Sequence, residues 1–130
     1  PQFHPAGGAG IAGALLISCI FDPATAEVNS FHTAYYGEDA SRYAACSTVD
    51  GLIATSVPVL ATVSEFDGLD FQLQAAAYVA VYAKAHQRYP RMHWLAGHNH
   101  LSPASEIGSP GAALEPIIQD FIAAHIEDPV

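Results

Sequence analysis

Three short apolar runs constrain the fold more than any other feature of the chain: GALLISCIFD (13–22), VPVLATVSEFD (57–67) and MHWLAGHNH (92–100). Each is rich in β-branched or aromatic residues and ends in polar or turn residues, as a buried strand does. The first two are nearly continuous in apolar character, which predicts strands covered on both faces. Between and after them lie two helical stretches. LDFQLQAAAYVAVYAKAHQRY (69–89) places Phe71, Ala75, Val79 and Tyr82 at helical spacing, with Asp70 as the expected N-cap and Pro90 as the stop. PGAALEPIIQDFIAAHI (110–126) predicts a second helix, with Pro116 in its first turn or at a kink. The region 23–56 is mixed, with a short helix expected around Ser41 to Cys46. Strand, excursion, strand, helix, strand, helix is the order of a parallel α/β sheet. Ligand chemistry in such sheets gathers beyond the carboxyl ends of the strands, so Asp22, Asp67 and the turn at 97–100 are expected on one edge.

A length of 130 residues allows one domain, taken as a single α/β unit over 1–130. The chain is 51% hydrophobic and only 13% charged, which excludes a disordered chain and predicts a packed core. The net charge is −9, and Arg42, Lys84, Arg88 and Arg91 are the permanent cations. Such a surface repels phosphates, so neither nucleic acid nor an anionic membrane is an expected partner. The apolar stretch from Ile11 to Phe21 is too short to span a bilayer and follows no basic segment, so it reads neither as a membrane span nor as a signal peptide. Cys19 and Cys46 admit one disulfide, but free thiols in a cytoplasmic setting fit at least as well. The opening PQFHPAGGAG is loop-like and begins at Pro1, which reads as the continuation of a longer polypeptide.

GAGIAG (8–13) matches the dinucleotide fingerprint G-x-G-x-x-G, which binds pyrophosphate only between a strand and a helix. Here an apolar strand follows and none precedes, so a loop is the better account and no cofactor is expected. In LAGHNHLSP, His98 and His100 share a face if the backbone is extended. Two imidazoles begin a zinc site, but the histidines at 4, 32, 86, 93 and 125 show no matching spacing, and no metal is expected. Asp67, at the end of the second run, has two readings. It is a cap or solvated turn residue, or it accepts the Nδ1 proton of a histidine and fixes its tautomer. An acid after one strand, then a helix, then a histidine after the next strand, is the chain order of the α/β-hydrolases.

PVLATVSEFDGLDFQLQA, LAGHNHLSP and the terminal IIQDFIAAH together resemble the C-terminal half of α/β-hydrolase carboxylesterases, most closely the hormone-sensitive-lipase-like esterases and the kynurenine formamidase-like enzymes. GIAGALLISCIFD and YYGEDASRYAACS resemble the strand before and the segment after it. The resemblance implies the C-terminal part of an α/β-hydrolase fold, with about three parallel strands flanked by helices. It implies Asp67 as the catalytic acid and His100 as the base, with His98 shaping the base's loop or contacting substrate and Leu101 beside the substrate. Glu65 and Asp70 match the acid less well. The expected substrate is a small carboxylic ester, with an amide or formamide as a variant. Phe31, Tyr35 and Tyr36 either help to cover the pocket or simply pack.

The nucleophile motif G-x-S-x-G does not occur in the chain, GSPG (108–111) has the wrong spacing, and Ser18 and Ser64 fall inside predicted strands. The oxyanion loop is missing as well. Acid and base without nucleophile cannot carry out acyl transfer. Two expectations follow. In the first, the chain is the rear half of a serine esterase, inactive alone, and its exposed first strand pairs with the N-terminal half of the same hydrolase or with a second copy. In the second, it is a non-catalytic α/β binding or oligomerisation module.

Overall fold

The computed structural model describes residues 11–125. The chain is a mixed α/β unit built on a three-stranded, all-parallel sheet in the order β1-β2-β3. The strands are β1 (Ala14–Ile17), β2 (Val59–Phe66) and β3 (Met92–Asn99). Ala14 stands opposite Val59, and Ala61 opposite Met92. The helices are α1 (Ser30–Tyr36), α2 (Val49–Ala54), α3 (Leu69–His86), α4 (Ser102–Ser105) and α5 (Leu114–Ala123), with a 3-10 helix over Ala40–Cys46 between α1 and α2.

Period-two alternation splits β2 between two cores. Ala61 and Val63 face one side, where they pack with Phe21, Ala75 and Tyr78, and with Leu52 and Ile53 of α2. Phe21 and Tyr78 stack almost flat there, with ring centroids 4.6 Å apart. Leu60, Thr62 and Ser64 alternate to the other side and are also buried. Phe121 of α5 presses against the start of β1, so closely that a Cβ on Gly13 would lie 2.8 Å from its ring. The central strand is thus covered on both faces, as its unbroken apolar run requires. β1 and β3 are the edges, each paired on one side only among the described residues.

Several local expectations are corrected. β1 ends at Ile17, not at residue 22, because Ser18 turns the chain with a left-handed φ of +46°. Asp22 therefore does not stand at the strand end. It sits in a turn in which its N–H donates to Gln74 Oε1 and its carbonyl accepts from Gln74 Nε2. Asp70 does not cap α3. Gly68 occupies that position, and the Asp70 carboxylate, one residue inside the helix, accepts the Glu27 N–H. α3 stops at His86, ahead of Pro90, because Gln87 adopts φ +55° and closes the end by donating its N–H to Ala83 O. The last helix begins at Leu114 rather than 110, because Gly108 and Gly111 both take positive φ. Pro116 falls in its first turn, where its missing N–H costs nothing.

The apolar spacing along α3 holds, but its buried face also carries Gln74. That side chain accepts from Phe21 N and Asp22 N and donates to Asp22 O and Thr25 Oγ1, pinning the loop after β1 to the helix. Within 23–56, α1 and α2 were not legible as helices. α1 is set by Asn29, whose side chain accepts the N–H groups of Phe31 and His32. The described part of GAGIAG, Ile11 to Gly13, leads into a strand and opens no helix; Gly8 and Gly10 lie outside the described residues. Both cysteine thiols are free. No described helix is long and apolar enough to cross a membrane.

Candidate active site

Asp67 directly follows β2 and closes a tight turn on its last residues. Its N–H donates to Ser64 O at 3.1 Å, and its Oδ2 accepts the Ser64 N–H at 2.7 Å. Gln72 Nε2, one helical turn on, donates to Asp67 O. The Asp67 side chain is fully buried. A buried carboxylate is tolerated when its oxygens meet donors. Oδ2 has two, Ser64 N–H and the Ser18 hydroxyl at 2.7 Å, while Oδ1 faces His100 Nδ1 at 3.0 Å. An acceptor-only carboxylate at that distance places the imidazole proton on Nδ1. The lone pair of Nε2 is then free to take a proton. Nε2 makes no hydrogen bond among the described residues, and the His100 side chain is 42% exposed. The ring of Phe71, from the first turn of α3, packs on the imidazole with centroids 4.2 Å apart.

His100 reaches Asp67 through an irregularity in β3. Ser64 stands opposite Leu95, but Phe66 stands opposite Asn99, so β3 spends two additional residues over the same length. Gly97 absorbs the distortion with φ +76°, a conformation glycine adopts without a Cβ clash. Its N–H is held by Glu65 Oε2 at 2.7 Å. Beyond the bulge, Asn99 Oδ1 accepts from Leu101 N and Ser102 N, and Ser102 Oγ accepts from Asn99 N, each at 3.0 Å. These reciprocal bonds between Asn99 and Ser102 close the turn that leads into α4 and hold His100 between two fixed neighbours.

Of the residues singled out in the sequence, Asp67 and His100 come together across 33 positions. His98 does not join them. Its side chain is 12% exposed, its Nδ1 lies 3.1 Å from Ser102 Oγ and 3.8 Å from Glu106 Oε2, and it ties the bulge to α4. Leu101, next to His100, is 72% exposed. Glu65 binds the Gly97 backbone, and Asp70 binds the Glu27 backbone; neither carboxylate touches an imidazole. Phe31 and Tyr35 are both highly exposed, whereas Tyr36 packs against Tyr43. Ser18 was passed over as a strand residue, yet it is buried at the carboxyl end of β1 with its hydroxyl on Asp67.

A cleft of about 580 Å³ opens at the other end of the sheet, lined by Pro58, Val59, Pro90 and Arg91 at the amino ends of β2 and β3. It contains neither Asp67 nor His100. The pair instead sits at the open carboxyl edge. Among the described residues no group of three or more His, Cys, Asp or Glu is placed to hold a metal ion. Chemically, a buried acid facing Nδ1 and an Nε2 without a partner among the described residues make an imidazole that can take up a proton. The chain matches no protein-family model and no curated protein.

Proposed function

We propose that this chain supplies the acid and base of a serine-dependent carboxylic-ester hydrolase of the α/β-hydrolase type. The observation that carries the reading is the 3.0 Å contact from His100 Nδ1 to the buried Asp67 Oδ1 at the carboxyl edge of a parallel sheet. In this reading His100 Nε2 takes the proton of a serine hydroxyl as it attacks the ester carbonyl. Asp67 holds the ring and stabilises the imidazolium, and His100 returns the proton to the leaving alcohol. Water then hydrolyses the acyl-serine by the same route. In this reading Leu101, exposed beside His100, contacts a small apolar substituent of the ester.

The nucleophile and the oxyanion donors are proposed to come from a polypeptide segment outside these residues. No described hydroxyl bonds to His100, and the serine hydroxyl that meets the pair, that of Ser18, donates to Asp67 instead. The open edge of β1, with Ile11 and Leu15 partly exposed, suits pairing with that segment or with a second copy of the chain. That no described hydroxyl meets His100 also supports a second reading, a non-catalytic α/β binding or oligomerisation module in which Asp67 and His100 only close the sheet edge.

Fluorophosphonate labelling of the purified protein, followed by intact-mass and peptide mass spectrometry, separates the two. The esterase reading expects label on a serine of a co-purifying segment, with ester hydrolysis abolished by His100→Ala. No label and no hydrolysis from any assembly containing this chain would leave the binding module.

A further inference from the structure

The Asp67 side chain is aimed, not merely buried. Rotation about its last torsion is intrinsically loose, because a carboxylate on an sp³ carbon has a broad, two-fold profile. Ser64 N–H alone fixes one oxygen from within the same turn. A second donor, from the bend after β1, fixes the plane. That donor is Ser18 Oγ, 2.7 Å from Oδ2 across 49 residues of chain.

Two further facts set Ser18 apart from an ordinary buried hydroxyl. It is only 4% exposed, and its hydroxyl meets a carboxylate rather than a backbone carbonyl, the stronger kind of bond. It also holds φ +46° directly after β1, where its N–H donates to Thr62 O. Gly would take that conformation without a Cβ clash, and it has no hydroxyl. A serine kept there against its backbone preference is what a need for the hydroxyl would leave behind.

We infer that Ser18 is the positioning residue of the Asp67–His100 pair: its hydroxyl occupies Oδ2 so that Oδ1 is presented to His100 Nδ1 and sets the imidazole tautomer. The inference rests on the proposed role of the pair. Ser18 acts through Asp67 and touches neither His100 nor substrate. Its hydroxyl proton is committed to a carboxylate, which also removes it as a candidate nucleophile.

The test needs no substrate and no partner. The ¹⁵N shifts of the His100 ring, assigned by loss of its signals in His100→Gln, report the tautomer of the neutral imidazole. Wild type is expected as the Nδ1–H form. Ser18→Ala and Ser18→Gly are both expected to move most of the population to Nε2–H. The two variants differ in backbone strain, since only glycine accepts φ +46° freely, so a folded Ser18→Gly protein keeps the test open if Ser18→Ala unfolds. Nδ1–H in wild type and unchanged in Ser18→Gly would overturn the role of Ser18 and leave the pair intact. Nε2–H already in wild type would overturn the pair, and the inference with it.

Discussion

Glu65 Oε2 accepts the Gly97 N–H at 2.7 Å, so the penultimate residue of β2 holds the bulge of β3 that carries His100 toward Asp67. Beyond their backbone ladder, the acid-bearing and base-bearing strands are thus joined by two side chains, Asp67 on His100 and Glu65 clamped on the Gly97 backbone. The clamp explains why a strand that drifts two residues out of register remains ordered enough to aim an imidazole.

Glu65→Ala is therefore expected to loosen the bulge more than it destabilises the fold. The bond is exposed, and its loss should cost no more than about 1 kcal/mol in urea unfolding. The backbone signals of Gly97 to His100 should nevertheless shift and broaden. Unchanged signals in that segment would show that the bulge holds without the clamp.

Asp67→Asn keeps the shape of the acid but brings an amide donor among groups that are themselves donors. Ser18 Oγ, Ser64 N and His100 Nδ1 all point at this side chain, so the new amide either opposes a donor or forces His100 to move its proton from Nδ1 to Nε2. Unfolding free energy should fall by about 1–3 kcal/mol. In the esterase assembly kcat should fall by about 10⁴, as expected when a triad histidine takes the wrong tautomer. Steady-state hydrolysis of a small ester reads the second effect, and wild-type turnover would remove Asp67 from the mechanism.

Gln74 is expected to be among the most sensitive buried positions. Gln74→Leu retains volume but strips the partners from Phe21 N, Asp22 N and Asp22 O. Orphaning these groups should cost about 2–4 kcal/mol, visible as a lower urea midpoint at constant slope. Gln74→Glu keeps the acceptor for both N–H groups and should cost less than the leucine variant. The reverse order would mean that packing, not hydrogen bonding, is what Gln74 contributes.

Gly13 and Phe121 form a steric pair. A methyl at Gly13 would meet Phe121 Cε1 at 2.8 Å, inside contact distance. Gly13→Ala alone should destabilise by about 1–3 kcal/mol through overpacking. Combined with Phe121→Leu, part of that penalty should vanish, and a double-mutant cycle measures the coupling. Strict additivity would place the α5 contact elsewhere.

Burial pushes the Cys19 thiol pKa up, and the Ile17 backbone opposes it less strongly. The folded chain therefore disfavours the thiolate. The stability linked to this group is complete below the unfolded thiol's value of about 8.5 and is lost as pH rises through the higher folded value. Denaturation between pH 8 and 10.5 should show a shallower decline for Cys19→Ala than for wild type. At pH 7.5 the exposed Cys46 should alkylate well before Cys19.

The three strands and the two longer helices were legible in the sequence because burial on a sheet or helix leaves a local trace: unbroken apolar runs in 57–67, period 3.6 in 69–89. Asp67 and His100 were legible as a pair only in order, an acid after one strand and a histidine after the next. The early end of β1 was not. Nothing in GALLISCIFD distinguishes Ser18 from a strand residue, because the partner of its hydroxyl is a carboxylate 49 residues away. The same holds for Gln74, which reads as a solvent-facing helix residue until the loop after β1 folds onto it. α1 and α2 are only seven and six residues long, too short for an apolar period to show, and α2 owes its form to the packing of Leu52 and Ile53 in the core.

The sequence by itself determined which segments would be strands and which longer segments would be helices, because those choices depend on apolar spacing along the chain. Only the tertiary structure decided which oxygen of Asp67 meets His100, which serine holds the other, and where β3 bulges. Those features arise from donors and acceptors that are distant in sequence and meet only after the sheet has formed, so no local pattern encodes them.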